Sequence, residues 1–108
     1  MSEKKKLRLA EEIAREAARF LETETNRNSL ITVTRVTLSE KNSRATILLS
    51  VLPENEEEKA IAFANRRAGG FRKFLGQAAR MRRLPEIFFA IDRGEKNRQR
   101  IEELSHTQ

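Results

Sequence analysis

There is no cysteine in this 108-residue chain, and no tryptophan or tyrosine. Without thiols there is no disulfide, no thiolate metal site and no cysteine nucleophile, which fits a reducing compartment. Histidine occurs once, as His106, and aspartate once, as Asp92. That is too little for an imidazole base or a metal triad. Walker, GxGxxG and HExxH motifs are missing as well. An enzyme, a cofactor, a bound metal and a small-molecule substrate are therefore not expected. Asp92 ends an apolar segment and reads as a turn or cap residue. Long hydrophobic runs are also lacking. No run is longer than Ile87-Phe88-Phe89-Ala90-Ile91, which is far too short to span a bilayer. The start, Met1-Ser2-Glu3-Lys4-Lys5-Lys6, leads into an amphipathic pattern and not a secretory leader. The expectation is a soluble, cytoplasmic, monomeric protein with no membrane partner.

Acidic residues are missing from one long window. None lies between Glu58 and Glu86, while that stretch holds Lys59, Arg66, Arg67, Arg72, Lys73, Arg80, Arg82 and Arg83. These eight cations exceed the net charge of +6, so the remaining 14 basic and 16 acidic residues leave −2 elsewhere. A basic surface this concentrated is suited to a polyanion, and nucleic acid is the first candidate.

What is present in good supply is periodicity, and the length suits one domain over 1–108 with an ordered core over 5–104. Leu9, Ile13, Ala17, Phe20 and Leu21 recur at helical spacing and predict a helix over Lys5–Thr23. Its outer face would carry Arg8, Glu11, Glu12, Arg15, Glu16 and Arg19. Leu30–Ser39 is rich in Ile, Val and Thr and predicts a strand whose apolar phase slips, so a bulge is expected near Thr34-Arg35. A polar turn and a second strand over Arg44–Leu52 complete an antiparallel hairpin. Asn55 is the expected N-cap of a second helix running to about Arg67, with Glu58 completing a capping box. Gly69-Gly70 interrupts it. Phe71, Phe74, Leu75 and Ala78 then resume the stripe to about Arg82. Glu86–Ile91 predicts a third strand, and Glu95–Leu104 a short polar helix. The fold class is thus α+β: helix, strand, strand, helix, kink, helix, strand, with the helices on one face of a three-stranded sheet.

Within the basic window, Arg66, Arg67, Arg80, Arg82 and Arg83 suit helix ends, where cations complement the dipole. Arg72 and Lys73 do not, because they sit in a first turn with no acidic residue in helical reach. An anion bound there would account for them. Glycines at the kink leave backbone open to close approach. Most phenylalanines fall on inward stripes; Phe63 and Phe88 do not. An exposed stacking sheet is therefore not expected.

The chain resembles ribosome-binding factor A. The resemblance runs from about Arg8 to Leu104 and rests on an ordered set: Arg8-Leu9-Ala10-Glu11-Glu12-Ile13, Leu30-Ile31-Thr32-Val33-Thr34-Arg35-Val36, Ala45-Thr46-Ile47-Leu48-Leu49-Ser50, Ala68-Gly69-Gly70-Phe71-Arg72-Lys73-Phe74-Leu75-Gly76, Met81-Arg82-Arg83-Leu84-Pro85-Glu86 and Phe88-Phe89-Ala90-Ile91-Asp92. It departs from the family at Arg27-Asn28-Ser29-Leu30 and at Lys41-Asn42. The resemblance implies a type II KH-like domain in which Ala68-Gly69-Gly70 stands in place of a GxxG loop. It also implies binding to the free small (30S) ribosomal subunit and its 16S rRNA, late maturation and rRNA processing, and a link to cold adaptation. On that reading Arg66, Arg67, Arg72 and Lys73 contact phosphates, Arg80, Arg82 and Arg83 extend the track, and Ala68, Gly69 and Gly70 form the kink. A generic binder of single-stranded nucleic acid and a basic protein-interaction module remain alternatives.

Overall fold

Helix α1 spans Glu3–Glu24 and buries Ile13, Ala17, Phe20 and Leu21, the stripe its 3.6-residue period predicts. Glu16 belongs to that stripe too, three residues after Ile13 and four before Phe20. It is largely buried instead of lying on the outer face, and Arg19 caps it at 3.2 Å. The computed structural model describes residues 3–24, 29–79, 81, 83–94 and 97–98. The helix expected over 95–104 lies outside them, save that 97–98 are helical.

Strands β1 (Leu30–Leu38) and β2 (Arg44–Leu52) pair antiparallel, and β3 (Glu86–Ile91) pairs parallel to β2, giving the order β1-β2-β3. The register slips by one between Val33 and Arg35. This bulge absorbs the phase change and lets Val36 rejoin the core beside Ile47. At the hairpin turn Asn42 takes a left-handed φ of 56°, which Asn tolerates better than most residues. Ala45, Ile47, Leu49 and Val51 of β2 point to one face and are buried.

After β2 a short 3-10 turn, Glu54–Glu56, precedes α2 (Glu57–Arg66). Asn55 therefore lies inside that turn and is not the N-cap. Glu56 holds that position without a side-chain cap, and Glu57 and Glu58 meet the positive helix end instead. Helix α3 spans Ala68–Ala79. It buries Phe71 and Leu75, while Ala79, and not the exposed Ala78, packs at its far end. One core unites α1, α2, α3 and a single face of the sheet. Four phenylalanines run through it, with ring centroids 5.3 Å apart for Phe20–Phe71, 5.5 Å for Phe20–Phe74 and 6.1 Å for Phe71–Phe89.

Candidate nucleic-acid interface

The helical break falls at Arg67. Its φ of −96° and ψ of 1° end α2, and Ala68 already opens α3. Ala68, Gly69 and Gly70 therefore form the first turn of α3 instead of the interruption itself. Neither glycine adopts a positive φ, so no backbone strain requires them. A Cβ on Gly69 would have nothing within 4 Å, and one on Gly70 would meet only the Phe20 ring edge at 3.8 Å. Packing within the fold does not require these glycines either. What they provide is bare, accessible backbone at the start of a helix.

The cations divide by what holds them. Arg66 ends α2 and is exposed, as is Lys73, one turn beyond Gly69 on α3. Arg67 lays its guanidinium over the Phe63 ring at 5.3 Å, keeping both at the break. Arg72 has a structural duty: it donates from Nη2 to the Leu84 carbonyl at 3.0 Å and from Nε to the Pro85 carbonyl at 3.2 Å. Because α3 opens at Ala68, Arg72 and Lys73 lie past its first turn and not in it as expected, and the Arg72 charge is held by the chain returning to β3. Gly76, one turn later, lets that return pass close, since a Cβ there would lie 3.0 Å from Leu84 Cδ1. Arg83 is exposed in the connection after α3. With Lys41, Arg72, Leu9 and Glu86 it lines a cavity of about 920 Å³ at the end of the sheet. Arg80 and Arg82 lie outside the described residues.

Three polar features were hidden from sequence reasoning. Asn65 forms two bonds with β3: its Nδ2 donates to the Phe89 carbonyl at 3.1 Å and its Oδ1 accepts from the Phe89 N–H at 2.9 Å. The amide acts as a one-residue strand on an otherwise open edge. Only an uncapped Asn near the end of a helical stripe hints at it. Asp92 is buried (5% exposed) and accepts from the Thr34 hydroxyl at the bulge, with Arg35 Nε 3.9 Å away. It ties the end of β3 across β2 to β1. Third, Arg44 covers the exposed Phe88 on the open face of the sheet.

Among the described residues no three His, Asp or Glu side chains come together as a metal site, and no helix is long and apolar enough to cross a membrane. The arrangement is a basic helix–break–helix beside a strand edge that Asn65 covers at Phe89. The family model for ribosome-binding factor A matches residues 5–105. The chain belongs to that family. Ribosome-binding factor A of Alkalilimnicola ehrlichii is 34% identical over 104 residues, covering 89% of this chain and 80% of the relative. That of Clostridium botulinum strain Eklund 17B is 34% identical over 102 residues, covering 90% and 88%. The crystal structure of ribosome-binding factor A from Thermus thermophilus superimposes with a TM-score of 0.72 at 28% identity, over 80% of this chain and 94% of that one. A homology model of the Thermus thermophilus factor, fitted into a cryo-EM map of a complex with the 30S subunit, matches with a TM-score of 0.72 at 28% identity over 82% of this chain and 97% of that one. The α+β fold reached from the residues is the fold of ribosome-binding factor A.

Proposed function

We propose that this chain is a non-enzymatic assembly factor that binds the free 30S subunit and supports late maturation and processing of its rRNA in the cytoplasm. The observation that carries the reading is the relative fitted in complex with the 30S subunit, because the present chain shares its fold over most of its length. The basic window supplies the chemistry. Arg66, Arg67 and Lys73 present charge around the break, Gly69 and Gly70 leave backbone open beside them, and Arg83 continues the surface past α3. Such contacts neutralise phosphates and orient the protein without reading sequence. Recognition of one subunit over other RNA then comes from the shape of the RNA and its unpaired loops.

The test is charge reversal at the residues that carry no structural duty. Arg66→Glu with Lys73→Glu should abolish co-sedimentation with purified small subunits while the far-UV spectrum and melting curve stay those of the parent. A folded double variant that binds as the parent does would remove the helix–break–helix from the interface.

A further inference from the structure

The face of the sheet away from the helices carries one large aromatic residue. Phe88 alternates with the buried Ile87 and Phe89 of β3 and is 41% exposed. Arg44 of β2 lays its guanidinium over this ring, 4.8 Å from the centroid, and so fixes the ring's orientation. Phe88 is also one wall of a shallow cavity of about 410 Å³, closed by Ala68, Gly69, Arg72, Glu86 and Ile87. That volume lies within the range of small-ligand clefts, roughly 300–1,000 Å³. Gly69 keeps it open, having no neighbour within 4 Å of a would-be Cβ. The polar groups around it are disposed for an edge. The N–H groups of Glu86 and Asp92 point to β2, so strand alternation turns the peptide groups of Ile87 outward beside the cavity. Glu86 lines the same cavity.

We propose that Phe88, held by Arg44, is a stacking site for one unpaired base of the bound RNA, with the cavity receiving the base edge and Lys73 the adjoining phosphate. The proposal rests on the small-subunit RNA reading and names a contact within it. Charge complementarity selects the occupant. Arg44 and Arg72 flank the ring and Lys73 lies one turn beyond Gly69, a setting for a π-faced polyanion and not for an apolar protein side chain. An aromatic ring backed by a guanidinium plane accepts any base, so the site adds affinity with little sequence preference.

The absence of tryptophan and tyrosine makes the test direct. Phe88→Trp carries the only indole, and titration with purified small subunits should quench its emission. Phe88→Ala should bind subunits roughly 5- to 150-fold more weakly, the range for losing one stacked base. Its salt slope should be unchanged because no phosphate contact is lost. Phe88→Tyr should restore binding. If Phe88→Ala binds as the parent and the indole is not quenched, while Lys73→Glu still loses binding, the stacking site is wrong and the RNA reading stands. If the parent itself fails to bind subunits, both fall. Quenching by RNA-free small-subunit proteins but not by their RNA would assign the face to a protein partner and overturn the proposal.

Discussion

Arg72 and Lys73 are neighbours of equal charge with different work. Arg72 spends two donors on the carbonyls of Leu84 and Pro85, whereas Lys73 is exposed and pairs with no described residue. Arg72→Glu should therefore lower stability by about 1 kcal/mol, the net worth of a typical hydrogen bond, and more where carbonyls are left unsatisfied. Lys73→Glu should stay within about 0.5 kcal/mol, as surface changes do, yet weaken subunit binding. Parallel thermal melts and co-sedimentation separate the two. The glycines divide in the same way. Gly69→Ala removes a helix penalty of roughly 0.5–1 kcal/mol at a site with open space and should raise the melting temperature by a few degrees. Gly76→Ala should not, because its methyl would press on Leu84 at 3.0 Å. The sequence marked Arg72, Lys73 and Gly69, but not which cation did what, and it gave Gly76 no separate role. That distinction depends on how the chain returns after α3, which no local pattern encodes.

At the scale of elements, the sheet is stabilised by polar clasps as well as by its core face. Asn65 gives β3 a substitute partner at Phe89, which blunts an edge that would otherwise invite pairing. Asn65→Leu keeps similar size and loses both bonds. It should cost about 1 kcal/mol and markedly speed hydrogen exchange at the Phe89 amide, read by NMR. The bulge in β1 was legible beforehand, because Ile31 and Val33 sit out of phase with Val36 and Leu38 and only an inserted residue reconciles them. Its clasp was not. Asp92 lies 58 residues from Thr34, and a lone Asp after a strand reads as a cap. The helix break was legible too, but displaced: glycine is the usual signal of an ending, yet Arg67 ends α2 in a conformation open to any residue, and the glycines enter α3.

At the scale of the molecule, charge and fold are separable. The core that joins α1, α2, α3 and one sheet face was readable almost residue by residue from periods of 3.6 and 2, since burial imposes those periods directly. The proposed interface was readable only as a charge excess. The fold decides which cations face outward, and it gives Arg72 a structural duty beside its charge. On the opposite sheet face, pairing of β2 with β3 brings Arg44 over Phe88, which no local pattern shows.

The central claim is that this surface recognises the small ribosomal subunit. Co-sedimentation of the parent with purified small subunits across a salt series, with large subunits as control, tests it most directly. The account predicts selective binding to the small subunit, with log K falling by ~0.7 per phosphate contact for each tenfold rise in salt. Equal binding to both subunits, or none to either, would contradict it.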